Sequence, residues 1–320
     1  MKPLSSAALA GICLVAGFSA AQAEDLTPPV IKNPIADIVV HAGAAPRNIN
    51  LQQTFGLKNV TQEVVRFTTT LGPIDVELFP ATAPNTVANF LGYVNRGSGP
   101  NGGYNGSLIQ RSIVSFIIQG GSYYIDNNNL NEIVPKAAIK SEAGIPNTEG
   151  TIAVALSPAG PDSGTDAWFF NLADNTKLND TSDGGPFTVF GRAIENGLDT
   201  INAIAALTTY DLSSELESDA FMNVPLMQYN PSKGLVATDF VYTNKIALIP
   251  VLPVNPGVAG LLTVKVLQNT HPDIVTAKIS GQKLRLTFPG EATGMTKITL
   301  VAVDAANEKV KTSFTVKVQP

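Results

Sequence analysis

Within Ile109-Gln110-Arg111-Ser112-Ile113-Val114-Ser115-Phe116-Ile117-Ile118-Gln119-Gly120-Gly121 stand a cation, Arg111, two apolar residues, Phe116 and Ile117, and an amide, Gln119. Alternation across Ile113–Ile118 predicts one strand, ended by the glycine pair. Arg111, Phe116, Ile117 and Gln119 then converge around one hollow with a charged rim and an apolar floor. That set suits a peptide. It excludes proton transfer, because none of the four titrates near neutral pH. His41 and His271 lie far from this stretch, and Cys13 is the one cysteine, so a zinc centre or a histidine-based triad has no residues here. Asp126-Asn127-Asn128-Asn129 and Asp180-Thr181-Ser182-Asp183 lack a full calcium-loop pattern and read as turns. Gly97, Gly99, Gly102 and Gly103 follow a helix rather than a strand, which argues against a phosphate cradle. No metal and no cofactor are expected.

The elements around the stretch are mostly strands. Val64–Thr70 and Ile74–Leu78 form a hairpin about Leu71-Gly72-Pro73. Thr82 is placed to cap a helix whose apolar face is Val87, Phe90, Leu91 and Val94. Glu149–Ala155, Ala167–Asn171 and Phe187–Gly191 read as strands. A second amphipathic helix gathers Leu198, Ile201 and Ile204, and Phe240-Val241-Tyr242 closes the set.

The chain has 320 residues, which suggests about two domains. Hydrophobic residues make up 44% and charged ones 15%, a globular composition, and the net charge is -5. With no basic tract, nucleic acid is not expected as a partner. Lys2, the apolar run Ala7–Ala20 and the small-x-small triplet Ala21-Gln22-Ala23 read as a leader over 1–23, cleaved before Glu24. The alternative, a membrane anchor, needs ~20 apolar residues, more than this run supplies. Stable membrane insertion is therefore not expected. Cys13 falls inside the leader, so the mature chain has neither thiol nor disulfide, which fits a bacterial envelope and a periplasmic or secreted location.

Residues 24–61 are Pro-rich and then strand-like, 62–246 form the central region, and 247–261 read as a linker marked by Pro250, Pro253, Pro256 and Gly257. From 262 to 320 come five short strands: Leu262–Leu267, Ile274–Ile279, Lys283–Phe288, Lys297–Val303 and Lys309–Val318. Such regular alternation means a β-sandwich. Ile279-Ser280-Gly281, Leu284-Arg285-Leu286 and Gly294–Asp304 resemble the Ig-like or cadherin-like modules of bacterial exported proteins. Pro34–Val40 and Gly43 look like the opening strands of the same module. Two readings of 24–61 stand: first strands of a sandwich into which the central region is inserted, or a loose extension.

The central region resembles the cyclophilin-type peptidyl-prolyl isomerases over about residues 63 to 245. Tyr104-Asn105-Gly106-Ser107, Arg111, Phe116, Gln119-Gly120-Gly121, Gly150-Thr151-Ile152, Phe169-Phe170 and Val189-Phe190-Gly191 fall in the family's order. The resemblance implies a mainly β fold: an eight-stranded antiparallel barrel with two helices, here with an Ig-like sandwich after it. It implies that Arg111 hydrogen-bonds near the prolyl nitrogen, that Gln119 binds substrate backbone, and that Phe116 helps wall the proline pocket. Ile117 and Phe170 match further walls, Ala155 lines the groove, and Leu178 and Phe187 occupy places where many members have Trp and His. Gln110 replaces the usual histidine before the arginine. Trp168 replaces the usual glutamine before Phe-Phe and is expected at the groove mouth, as a stacking surface or an obstruction.

Three functions remain open on the sequence: an exported prolyl isomerase acting on Pro-containing polypeptides, a non-catalytic module that holds such segments, and an adhesion or scaffold protein. Intact Arg111, Phe116, Gln119 and Phe170 favour the first. Trp168 and Gln110 leave room for the second.

Overall fold

The computed structural model describes residues 27–97, 102–126, 129–181, 184–255 and 257–320. The stretch read as a leader, Cys13 and parts of the two Asp/Asn-rich loops lie outside them. Four short strands come first: β1 (Pro29–Ile31), β2 (Ile38–His41), β3 (Arg47–Asn50) and β4 (Phe55–Leu57). The central region then supplies β5 (Val64–Thr69), β6 (Gly72–Leu78), helix α1 (Pro84–Val94), β7 (Ser107–Ile113), β8 (Ile117–Asp126) and β9 (Asn129–Glu132). It continues with β10 (Thr151–Val154), β11 (Trp168–Asn171), β12 (Val189–Ile194), helix α2 (Gly197–Ala205), β13 (Thr209–Tyr210), β14 (Val224–Pro225) and β15 (Tyr242–Ile249).

Strands β11, β10, β12, β6, β5, β15, β7 and β8 are hydrogen-bonded in that order, and β8 pairs back onto β11. The result is a closed eight-stranded barrel in which every pairing is antiparallel. Its interior follows from the period of two: Val65 and Phe67 of β5 and Ile74, Val76 and Leu78 of β6 point inward and are fully or almost fully buried. Between them, Arg66 and Asp75 face each other across the hairpin as a two-pronged ion pair, with Nε–Oδ1 at 2.7 Å and Nη2–Oδ2 at 2.6 Å. Val87 and Phe90 of α1 and Ile201 and Ile204 of α2 complete the same core.

Thr82 does not cap α1. The N-cap is Ala83, with no side-chain bond, and Pro84 takes the first helical position. The exposed amides are met instead by Glu142, far along the chain, whose carboxylate accepts from Asn85 N at 3.1 Å and Thr86 N at 2.8 Å. Burial works against ionisation of Glu142, but these bonds and those from the two side chains outweigh it, so its pKa lies below the ordinary carboxylate value. The contribution is therefore complete above the ordinary carboxylate range and fades as pH falls through the lowered native value. Glu142→Ala is expected to cost about 1 kcal/mol at neutral pH. Thermal unfolding from neutral to acid pH checks this: the gap to the parent should close on acidification, and a gap independent of pH would contradict the capping role.

Strand β15 runs to Ile249, so Ala247–Ile249 are barrel rather than linker and pair with Arg66–Val64. Burial of Ile246 and Ile249 keeps this end in the sheet. Phe240 and Val241 precede the strand; Val241 enters the barrel core, while Phe240 packs outside it with Leu108 and Phe221.

Beyond the barrel lie β16 (Thr263–Asn269), β17 (Thr276–Ser280), β18 (Lys283–Thr287), β19 (Gly294–Val303) and β20 (Lys309–Gln319). One sheet has the order β16-β19-β20-β2 and the other β17-β18-β3. Ile38 of β2 lies opposite Val316, and Ile49 of β3 opposite Leu284, so both ends of the chain contribute to these sheets. Ile298, Leu300, Phe314 and Val316 of one sheet and Leu284 and Leu286 of the other share a buried core. That core continues through Phe55, Leu57 and Val60 to Val64, Ile194 and Ile249 of the barrel. Among the described residues, no helix is long and apolar enough to cross a membrane, and no three His, Cys, Asp or Glu side chains are grouped to hold a metal ion.

Candidate functional site

The run from Arg111 to Gln119 is a hairpin, not one strand. Strand β7 ends at Ile113 and β8 starts at Ile117. Phe116 N donates to Ile113 O at 3.0 Å, and Ser115 takes the left-handed conformation at φ 57°. The turn sets Arg111 opposite Gln119, and an Arg111 Nη1 to Gln119 Oε1 bond of 3.3 Å joins them. Nor does the glycine pair end β8, which continues to Asp126. A Cβ on Gly120 would stand 2.8 Å from the Trp168 ring, and one on Gly121, which has φ +99°, 2.7 Å from it. The two glycines make room for the indole on the adjacent strand, where Trp168 lies opposite Gly120.

Register carries the site across the sheet. Gln119 is opposite Phe169, Phe169 is opposite Ala153, and Ala153 is opposite Val189. Arg111, Gln119, Phe169, Ala153 and Val189 thus form one row over five strands. Ile117, two residues before Gln119, shares its face. Phe169, Ile117, Ala153, Leu178 and Val189 form an apolar cluster separate from the barrel core, flanked by Phe116, Ala155 and Phe187. Over it opens a hollow of about 210 Å³. Arg111 and Gln119 line its polar side; Phe116, Ile117, Phe169, Leu178 and Phe187 line the apolar side, with Ala155 and Leu156 at the edge. Phe187 meets Phe169 edge-on, with centroids 5.7 Å apart.

Two expected site residues are not there. Trp168 is 1% exposed and packs in the barrel core with its ring 5.2 Å from Phe67. Phe170 is fully buried in the same core. Both lie on the inward face of β11, and Phe169 between them faces the hollow. In Ala167-Trp168-Phe169-Phe170 both faces of the strand are apolar, and a shift of one residue exchanges them.

Arg111 is half-buried, and burial pushes its guanidinium pKa below the ordinary value. It remains a cation at neutral pH. Among the described residues no carboxylate pairs with it. The hollow therefore offers a partly desolvated cation with unused donors beside an apolar floor and an amide. Such a site can bind a carbonyl-rich, apolar ligand and stabilise electron density that appears at one point.

Comparison with known proteins places the central region in a family. The family described as cyclophilin type peptidyl-prolyl cis-trans isomerase/CLD matches residues 64–225. A peptidyl-prolyl cis-trans isomerase of Acinetobacter baylyi is 39% identical over 46% of this chain and 73% of its own. Peptidyl-prolyl cis-trans isomerase B of Escherichia coli is 35% identical over 46% of this chain and 86% of its own. A solved Cryptosporidium parvum cyclophilin type isomerase, crystallised with the dipeptide Ala-Pro, aligns over 58% of this chain and 98% of its own, at 19% identity and a TM-score of 0.41. The chain is a peptidyl-prolyl cis-trans isomerase and belongs to the cyclophilin-type family.

Proposed function

We propose that isomerisation takes place in the hollow between Arg111 and Phe169, with Arg111 as the donor to the prolyl nitrogen. The observation that carries this reading is the row Arg111–Gln119–Phe169, which sets a half-buried cation, with no carboxylate partner among the described residues, directly beside an apolar floor. Rotation about a peptide bond is resisted by amide resonance, a barrier of ~18–20 kcal/mol. As the bond twists, the nitrogen lone pair leaves the carbonyl and becomes an acceptor. A hydrogen bond from Arg111 then strengthens only in the twisted state, which is the condition for raising the rate. Phe116, Ile117, Phe169, Leu178 and Phe187 hold the ring while the acyl side turns. Gln119 has its Oε1 taken by Arg111, which leaves its Nε2 to bind a substrate carbonyl. No bond to the enzyme forms or breaks.

The substrates in this reading are Pro-containing segments of exported proteins that are still folding, in the periplasm or outside the cell. The leader over 1–23 and the cysteine-free remainder support it. The sheets outside the barrel serve as an Ig-like module, completed by β2 and β3, that holds the isomerase in its envelope setting. Refolding of a denatured protein limited by a native cis-proline tests the activity on chains. The uncatalysed phase lasts tens of seconds, and substoichiometric enzyme should shorten it. An unchanged slow phase at equimolar enzyme would remove folding chains from the substrate class.

A further inference from the structure

Three walls of the hollow stand on connections rather than strands. Phe116 is in the β7–β8 turn, Leu178 is in a short 3-10 turn, and Phe187 precedes β12. Side-chain amides tie these connections to one strand residue. Asn171, on β11 and fully buried, donates from Nδ2 to Asn147 Oδ1 at 3.1 Å and to Thr151 Oγ1 at 2.9 Å. Its Oδ1 accepts from Asn175 Nδ2 at 2.8 Å. Asn175 donates also to Phe116 O at 2.8 Å. On the other side, buried Asn147 donates to Phe187 O and to Asn179 Oδ1, each at 3.1 Å. Phe187 N in turn donates to Leu178 O at 2.9 Å.

We propose that Asn147, Asn171 and Asn175 are positioning residues for prolyl isomerisation: a buried amide chain that fixes the spacing of Phe116, Leu178 and Phe187 around the proline ring. From Asn175 through Asn171 and Asn147 to Phe187 O each link runs from amide donor to carbonyl acceptor, so each bond polarises the next in a low-dielectric setting, and Asn175 donates outward to Phe116 O as well. Asn171 is the fixed point, since the β8–β11 ladder holds its backbone opposite Ile117. Phe116 shows the need most plainly. Its carbonyl takes two donors, Leu172 N at 2.9 Å and Asn175 Nδ2, and the residue before it has a left-handed backbone. Without the second donor, the turn that sets the Phe116 ring rests on one bond.

The proposal rests on the hollow being the proline seat, and its test separates the two. Asn175 is the member to change, because it is partly exposed and outside the apolar cores. The walls grip the ring alike in both isomers and in the twisted state, so loosening them weakens binding throughout. Asn175→Ala is expected to raise KM about fivefold with kcat little changed. Asn175→Asp keeps the volume but turns an acceptor toward Phe116 O, and should lose at least as much. In a Phe116→Ala background, Asn175→Ala should cost nothing further, because it acts through that ring. A purely structural role would instead lower kcat through the active fraction and leave KM alone. An unchanged KM, or costs that add in the double variant, overturns the proposal. If Phe116→Ala is itself silent, the hollow is not the proline seat and both readings fall.

Discussion

Arg111→Ala is expected to lower kcat/KM for an Ala-Pro-Phe peptide by roughly a hundredfold, chiefly through kcat. The size follows from the site. Arg111 has no carboxylate partner among the described residues and is half-buried, so in the proposed role its donors would reach the prolyl nitrogen with little competition from water. Each decade of rate requires about 1.4 kcal/mol of differential stabilisation, and one charge-assisted hydrogen bond of about 1.5–3 kcal/mol supplies up to two. Stability should hardly change, since among the described residues the side chain bonds to Gln119 alone and joins no apolar core. Arg111→Lys retains the charge without the planar fork and should fall between the two. A proportional loss of kcat and folded protein would instead assign Arg111 to the scaffold.

The second large effect is on stability. Trp168→Ala should destabilise the protein by about 3–5 kcal/mol, the range for removing a large aromatic from a packed core. The indole is 1% exposed, lies edge-on to Phe67 and Phe170, and rests against the glycine pair of β8. Trp168→Phe should cost less and keep the activity, because this side chain does not line the hollow. Chemical denaturation measures the cost, and peptide titration of the sole tryptophan's emission is an independent check. A stable Trp168→Ala variant with altered peptide affinity would return this residue to the groove mouth.

These two positions also show what was legible in the residues. Arg111 and Gln119 stood out because a cation and an amide interrupt an apolar run. The turn between them did not, for Ile113-Val114-Ser115-Phe116 contains no Gly, Asn or Pro, and the left-handed residue is a serine. The sense of β11 was hidden for a different reason. Both of its faces are apolar, one filling the barrel and the other flooring the hollow, so Trp168-Phe169-Phe170 shows no alternation to separate them. Where one face meets solvent the pattern is plain: in β19, buried Thr296, Ile298 and Leu300 alternate with exposed or half-buried Met295, Lys297 and Thr299, and the strand was readable. Long-range partners left no local trace. Neither Glu142 beneath α1 nor the amide chain behind Phe116 could be found from spacing, because each joins segments far apart in sequence.

The central claim is that the prolyl ring is held over Phe169, beside Arg111, while the acyl side turns. Intermolecular nuclear Overhauser contacts between a bound Ala-Pro-Phe peptide and the protein test it most directly. The account predicts contacts from the proline ring protons to the Ile117 methyls and to the Phe169 and Phe187 rings, and none to the Trp168 indole. Ring contacts to Trp168, or to residues outside the hollow with Ile117 and Phe169 silent, would contradict it.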